Sequence, residues 1–386
     1  MIGYFGVLAA VALDLFSPVT VAHNLDSNRP QHRVGDESEN IRISIDRYSD
    51  LKNLTSITSS GSLTFATQKE GKLYYLPISG SPRVLKDYAQ FLGDSFVSEV
   101  ECGLLSVAYD ASHHPKEIFV TYTTRSQSEP TKGKNNDMLV VRQPFTIKNK
   151  EIVLSSTWRV IFRQSFESYI HHAGTLVFDG RGRLYLSVGD GGPQGDPEGH
   201  GQRLDSYRGK LLRIYPVPSP EIVVYGLRNP WKYSIVKNTA YIGNVGHNTT
   251  ESIVYIPSLD APAPYNGGWN LYEGSQLYSG APRKPTRKEE AAILTPIFEY
   301  PTDDKSETTP GRAVIGGYLV PGRSDLYVFS DNVSSYIYVL QLGKDGEWWQ
   351  ISKKKLPDGA NPYSLGLVHG VLFALTTKGM YTITLG

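Results

Sequence analysis

The chain has 386 residues, 20% of them charged, and a formal net charge of +1 at pH 7. Such a balance gives no electrostatic reason to expect nucleic acid or an anionic membrane as a partner. The single cysteine, Cys102, excludes both an intramolecular disulfide framework and a cluster of cysteine metal ligands. The 25 tyrosines, 37 glycines and 24 prolines are typical of a folded all-β chain.

Residues 1–22 resemble a signal peptide. An apolar run over residues 3–16 is followed by small residues that end at Ala22, where a cleavage site is expected. The apolar run is too short to predict a membrane span. Three N-glycosylation sequons also fit export, and they begin at Asn53, Asn248 and Asn332. We therefore expect a secreted, extracellular protein.

Residues 23–60 are predicted to form a polar tail and one strand. The tail occupies the first part of this segment and has no apolar periodicity. The run 41–48 alternates apolar and polar residues, so that Ile41, Ile43 and Ile45 share one face of a strand.

Residues 61–386 are predicted to form an all-β, six-bladed β-propeller. Six short apolar runs each read as a β-strand with an aromatic residue at the centre, namely Phe65, Phe119, Tyr185, Tyr241, Tyr327 and Phe373. A strand unit that recurs about every 40–50 residues, with insertions, is typical of a propeller. The Pro- and charge-rich stretch near 275–295 is interpreted as a surface insertion. The strand at 41–48 is expected to close the ring by joining the blade that contains 371–384.

A histidine and a carboxylate flank the predicted hairpin of the third blade. His171 precedes the first strand (174–178) and Asp190 ends the second (183–189), so both are expected at one rim. A carboxylate can set the tautomer of a neighbouring histidine that acts as a base. The alternative is that His171 caps a strand and Asp190 forms a turn.

Several motifs, in order along most of the chain, carry a likeness to a known family. They are 101-ECGLL-105, 171-HHAG-174, 189-GDGG-192, 225-YGLRNPW-231, 245-VGHNTTE-251, 267-GGWNLYEG-274 and 316-GGYLVPG-322. With this ordered set the chain resembles the glucose/sorbosone dehydrogenase family. That family includes quinoprotein glucose dehydrogenase, aldose sugar dehydrogenases and the hedgehog-interacting proteins.

The resemblance implies a role for eight residues. It makes His171 the base for the anomeric hydroxyl of an aldose, with Asp190 and Arg228 as its catalytic partners. It implies that hydride passes to pyrroloquinoline quinone and then to an external electron acceptor. The cofactor-binding set that it implies is Arg228, Asn229, Glu101 and Gln202. It further implies a calcium ion on the main-chain carbonyls of Gly246 and His247.

One departure from the family keeps a second hypothesis open. Tyr336 stands where bacterial members have an arginine that can pair with a cofactor carboxylate, so a charge-assisted contact is lost. That loss, the sequons and the basic stretch 283–288 favour a non-catalytic propeller that binds a protein or glycan through its loop face, like the hedgehog-interacting proteins. The retained histidine, carboxylate, arginine and asparagine favour the enzyme.

Overall fold

The computed structural model of the protein describes residues 33–35, 41–126, 135–149, 151–302, 312–357 and 359–386. The segment that resembles a signal peptide lies outside these ranges. The described residues form six sheets of four or five strands, and the innermost strand of each sheet contacts the innermost strand of the next. The predicted all-β, six-bladed propeller is therefore confirmed.

The first three blades follow one another along the chain, each built outward from the central axis. The first contains β2 (Leu54–Ser60), β3 (Leu63–Gln68), β4 (Lys72–Tyr75) and β5 (Arg83–Asp87). The second contains β6 (Leu104–Tyr109), β7 (Glu117–Arg125), β8 (Asn136–Lys148) and β10 (Arg159–Phe166), with β9 (Glu151–Leu154) on the end of β8. The third contains β11 (Ala173–Phe178), β12 (Leu184–Val188), β13 (Lys210–Tyr215), β14 (Glu221–Tyr225) and β18 (Tyr265–Asn266).

The other three blades complete the ring. The fourth contains β15 (Asn229–Val236), β16 (Thr239–Val245), β17 (Thr250–Ile256) and β21 (Phe298–Pro301). The fifth contains β22 (Val314–Val320), β23 (Arg323–Asp331), β24 (Tyr336–Leu342) and β25 (Trp348–Lys355). The sixth contains β26 (Pro362–Val368), β27 (Val371–Thr376), β28 (Met380–Leu385) and β1 (Ile43–Ser49).

The aromatic-centred runs are the second strands of the six blades, β3, β7, β12, β16, β23 and β27. Their aromatic side chains are buried, with exposures from 0% to 8%. Six apolar clusters, each shared by two neighbouring blades, form the core. The first blade begins at Leu54, before the predicted boundary at residue 61. Its innermost strand, β2, has no aromatic residue, so the pattern of aromatic-centred strands did not include it.

The stretch near 275–295 is mostly exposed, and Tyr278 is its buried exception. Its start overlaps a short hairpin, which begins in the preceding motif and consists of β19 (Tyr272–Glu273) and β20 (Gln276–Leu277). The helices of the described residues are short, namely α1 (Tyr88–Leu92), a 3₁₀ turn (Gly93–Ser95) and α2 (Arg287–Ala292). Over the described part of the chain, no helix is long and apolar enough to cross a membrane.

The N-terminal strand β1 pairs antiparallel with β28 at the outer edge of the sixth blade, the position predicted for it. Ile43 lies opposite Leu385, is 3% exposed, and packs in the cluster between the fifth and sixth blades. A strand from one end of the chain thus joins the last blade to the start of the first.

Replacing Ile43 with alanine tests this closure. We expect Ile43→Ala to lower the free energy of unfolding by about 2–5 kcal/mol, because it leaves a cavity between two blades. Asp46→Ala, at an exposed position of the same strand, should change it by less than about 0.5 kcal/mol. Urea unfolding of both variants is the measurement, and equal effects would show that β1 does not hold the ring closed.

Candidate active site

The hairpin of the third blade brings His171 and Asp190 together at one rim of the propeller. His171 lies just before β11 and Asp190 just after β12, and these strands are antiparallel neighbours. His171 Nδ1 is 2.6 Å from Asp190 Oδ1. Asp190 is fully buried and His171 is 4% exposed. The predicted pairing of the two side chains is present in the structure.

The backbone around this pair is tightly packed. His171 has φ of 56°, a left-handed conformation that residues with a side chain adopt rarely and that recurs at functional sites. Gly189 lies so close to this residue that a Cβ there would be 2.0 Å from the carbonyl oxygen of His171. Gly191 donates its N–H to the same carbonyl oxygen at 3.2 Å. Only glycine at position 189 allows this approach.

Two further donors fix the Asp190 carboxylate. Trp269 Nε1 donates to Oδ2 at 2.9 Å, and the Gly192 N–H donates to Oδ1 at 2.9 Å. Burial alone would raise the pKa of Asp190. The hydrogen bond from His171 and the charge of Arg228 outweigh burial, so the pKa lies below its usual value. Asp190 is therefore an ionised acceptor that orients the imidazole.

Arg228 sets which nitrogen of His171 carries the proton. Arg228 Nη2 is 3.0 Å from His171 Nε2, and a guanidinium can only donate. Nε2 is therefore the acceptor, and the proton lies on Nδ1, where it is donated to Asp190. The same Nη2 donates to Gln194 Oε1 at 2.6 Å, while Nη1 donates to the carbonyls of Val245 at 3.2 Å and Gly246 at 2.5 Å.

Glu101 and Asn229 lie beside this group. Asn229 Nδ2 and the N–H of His172 both donate to Glu101 Oε2 at 3.1 Å. Asn229 Oδ1 and Arg228 Nε are buried without a hydrogen-bond partner among the described residues. Buried polar atoms are normally satisfied, so these two atoms mark a place where a bound molecule would supply partners.

The adjacent His172 has a different environment. Its Nε2 lies 2.8 Å from Asn136 Oδ1 and the side chain is fully buried. Burial, followed by the neighbouring His171 and Arg208, lowers the pKa of His172 to about 3. A histidine with so low a pKa is a weak base, so His171 is the candidate base.

Two of the residues discussed from the sequence do not touch His171. Gln202 Nε2 donates to the carbonyl of Trp269 at 2.7 Å and to Asn266 Oδ1 at 3.0 Å. Gln202 therefore holds the tryptophan that bonds Asp190. Tyr336 begins β24 in the fifth blade, where Lys353 Nζ lies 4.9 Å from its ring.

The loop 245–251 lies on the far side of Arg228. Glu273 Oε1 accepts main-chain N–H bonds at 2.7–3.2 Å from the residues His247, Asn248, Thr249 and Thr250. His247 Nδ1 is 3.0 Å from Gln194 Oε1. Gln194, which follows the motif 189–192, thus contacts both this loop and the guanidinium.

The sequence analysis did not single out Gln194, Glu273 or Trp269 as site residues. Trp269 and Glu273 come from the motif 267–274, which enters the site from the connection between β17 and β21. In the sequence, the only indication that this motif contributes to the site was its position between two other motifs of the family.

The residues present fit an organic cofactor better than a metal ion. Arg228, Gly246, Trp269 and Glu273 line one small cleft. Of the unpaired atoms, Arg228 Nε can donate to a quinone oxygen, and Asn229 Oδ1 can accept from a hydroxyl group. A calcium ion, in contrast, needs six to eight oxygen ligands. The Gly246 carbonyl already accepts a bond from Arg228, and the described residues contain no group of three or more His, Cys, Asp or Glu able to hold a metal.

Glu251 supports Gly246 from the other side. Its Oε2 accepts the N–H of Gly246 at 3.1 Å and of Val314 at 3.0 Å, and its Oε1 accepts the Thr302 hydroxyl at 3.2 Å. The side chain is fully buried, which raises the pKa of Glu251 to about 8. Hydrogen bonds from Val314 and Gly246 partly oppose that increase.

The fold and the buried His–Asp–Arg group define a six-bladed propeller with an active-site-like cluster at one rim. The glucose/sorbosone dehydrogenase family model matches residues 45–322, and the chain belongs to this family.

Curated relatives include plant and animal proteins. The HIPL1 protein of Arabidopsis thaliana is 27% identical over 278 residues, which cover 61% of this chain and 37% of that protein. The hedgehog-interacting protein of Homo sapiens is 24% identical over 195 residues, which cover 44% of this chain and 28% of that protein. The matched part of this chain thus spans well under half the length of each.

Solved structures share the fold. The soluble aldose sugar dehydrogenase of Escherichia coli, in its apo form, superposes with a TM-score of 0.66 at 18% identity, over 89% of this chain and 99% of that one. The PQQ-bound aldose sugar dehydrogenase of Streptomyces coelicolor gives a TM-score of 0.61 at 15% identity, over 89% and 99%. At identities of 15% and 18%, the structural likeness shows that this chain shares the fold of these proteins.

The close approach at Gly189 can be tested with two glycine variants. Gly189→Ala should destabilise the protein by about 3 kcal/mol or more, because its Cβ would overlap the His171 carbonyl. Gly180→Ala, at a turn position where nothing lies within 4 Å of a new Cβ, is the control and should melt like the wild type. Similar melting temperatures for all three proteins would contradict the packing described.

Glu251 predicts a pH dependence of stability. Its pKa is about 8 in the folded protein against a reference value of 4.5, so the folded state keeps the proton longer than the unfolded state. The free energy of unfolding therefore falls as the pH rises from 4.5 through 8. In Glu251→Gln an amide can accept the two N–H bonds and donate to Thr302, and this contribution disappears.

Melting curves across that pH range are the measurement. As the pH rises, we expect the melting temperature of Glu251→Gln to fall by a few degrees less than that of the wild type. Glu99→Gln, at an exposed glutamate, is the control and should follow the wild type. Parallel curves for wild type and Glu251→Gln would show that the buried carboxyl does not hold its proton.

Proposed function

We propose that the chain is a dehydrogenase that oxidises an aldose sugar at its anomeric carbon. The observation that carries this proposal is the Asp190–His171–Arg228 alignment, which puts the proton on Nδ1 and the lone pair on Nε2. Membership of the glucose/sorbosone dehydrogenase family supports it, as does the structural likeness to aldose sugar dehydrogenases.

The reaction needs a proton acceptor and a hydride acceptor. The hydroxyl proton of the anomeric carbon passes to His171 Nε2, while the C–H bond breaks with its electron pair and a carbonyl forms. When bound, pyrroloquinoline quinone supplies the two-electron acceptor for that hydride. A sugar hydroxyl that reaches Nε2 takes the position that Arg228 Nη2 holds in this structure.

The other residues of the cluster bind and orient. Asp190 stabilises the protonated imidazole that results from proton transfer. Arg228 Nε and Asn229 Oδ1 are both buried and without protein partners in the described structure. Arg228 Nε would donate to a quinone or sugar oxygen, and Asn229 Oδ1 would accept from a sugar hydroxyl. Glu101 holds the Asn229 amide, and Gln202 holds the Trp269 carbonyl. An external electron acceptor would complete the cycle, and the sequence features at the N-terminus predict that this happens outside the cell.

A non-catalytic propeller that binds a protein or glycan is the second candidate. The observation that favours it is the engagement of Arg228 with four acceptors, which leaves its Nη hydrogens occupied. The relationship to the hedgehog-interacting protein fits this alternative. The exposed Gln194 and Asn248 would then lie on the binding face.

Two histidine variants distinguish the candidates. His171 and His369 both have positive φ, 56° and 50°, and asparagine tolerates that conformation. We expect His171→Asn to lower kcat for dye-coupled aldose oxidation by about 10²–10⁴-fold, the usual contribution of a general base. His369→Asn, at an exposed turn, should keep full activity.

Wild-type kcat in His171→Asn would remove the proposed base. A wild-type protein that oxidises no aldose in the presence of the quinone would favour the binding propeller instead.

A further inference from the structure

We infer that Arg228 is the resident cation of the loop 245–251, and that this site takes no calcium ion. The inference concerns the apo protein and does not depend on the proposed oxidation chemistry. Its consequence for that chemistry is that quinone binding would need no calcium.

The guanidinium binds one of the two carbonyls, that of Gly246, on which the family resemblance implied a metal. Arg228 Nη1 donates to two successive carbonyls of the loop, those of Val245 and Gly246, at 3.2 and 2.5 Å. Arginine stays protonated at all relevant pH values. A permanent positive charge is therefore already hydrogen-bonded to the oxygen that a calcium ion would bind.

A calcium ion on the same carbonyl would lie close to that charge. Calcium binds oxygen at about 2.3–2.6 Å. With Nη1 at 2.5 Å from the Gly246 oxygen, the two cations would be within about 5 Å of each other and would repel, in a site where both are largely removed from water.

The neighbouring carboxylates are committed to other donors. Asp190 accepts from His171, Trp269 and Gly192. Glu273 Oε1 accepts four main-chain N–H groups of the loop, and Glu273 Oε2 accepts the Thr249 hydroxyl. Either carboxylate could join the oxygen shell of a calcium ion only at the expense of these bonds.

The loop is also held in shape without a metal. The Gly246 peptide is bound at both ends, since its N–H donates to Glu251 and its carbonyl accepts from Arg228. Arg228 is itself fixed by His171 and Gln194 and lies 5.6 Å from the Trp269 ring centroid. The guanidinium thus connects the base, His171, to the loop. A metal ion on the loop carbonyls would remove this connection.

Hydrogen–deuterium exchange of the peptide spanning 245–251 tests the inference in the apo protein. We expect exchange in the wild type to be the same in millimolar calcium and in EDTA. In Arg228→Met it should be about tenfold faster or more, because two charge-assisted bonds to the loop are lost. Arg208→Met removes a buried guanidinium of the third blade, which binds Glu167, and should leave this peptide unchanged.

Slower exchange of the wild-type peptide in calcium would overturn the inference. So would unchanged exchange in Arg228→Met, since the guanidinium would then not hold the loop.

A titration with pyrroloquinoline quinone in EDTA and in calcium separates this inference from the proposed function. Equal binding in both buffers supports the inference. Binding that requires calcium overturns it and leaves the dehydrogenase proposal standing. Absence of binding in both buffers counts against the dehydrogenase proposal, and the exchange experiment then decides the inference.

Discussion

The candidate site depends on the contact between the Arg228 guanidinium and the imidazole of His171. Because a guanidinium only donates, this single contact fixes the tautomer of the histidine and leaves Nδ1–H for the Asp190 carboxylate. The same side chain binds the loop 245–251 and Gln194. One buried cation therefore couples the base to two loops from neighbouring blades, and moving it would disturb all of them.

The propeller makes this convergence possible. His171 and Asp190 flank the first hairpin of the third blade, and Arg228 precedes the innermost strand of the fourth, so consecutive blades place them at one rim. Ring closure by β1 and the apolar clusters between blades fix the spacing of these loops. The rigid sheets carry the core, while the loops carry the charged and hydrogen-bonding groups.

Much of this could be predicted from the sequence. The aromatic-centred strands indicated six blades because each aromatic residue is buried between sheets, and the hairpin indicated that His171 and Asp190 would meet. The role of Trp269 could not be predicted from local pattern, since its motif returns to the third blade from a distant connection. Nor could the bond from Arg228 to Gly246, because main-chain acceptors leave no mark in the sequence.

The most direct measurement is ¹⁵N NMR of protein labelled at histidine, with the His171 signals assigned by their loss in His171→Asn. The structure predicts a neutral ring that carries its proton on Nδ1, with Nε2 unprotonated. Removal of the guanidinium in Arg228→Met should alter the Nε2 signal, while the Nδ1–H bond to Asp190 remains. A proton on Nε2 in the wild-type apo protein would contradict the account, because Arg228 could not then donate to that nitrogen.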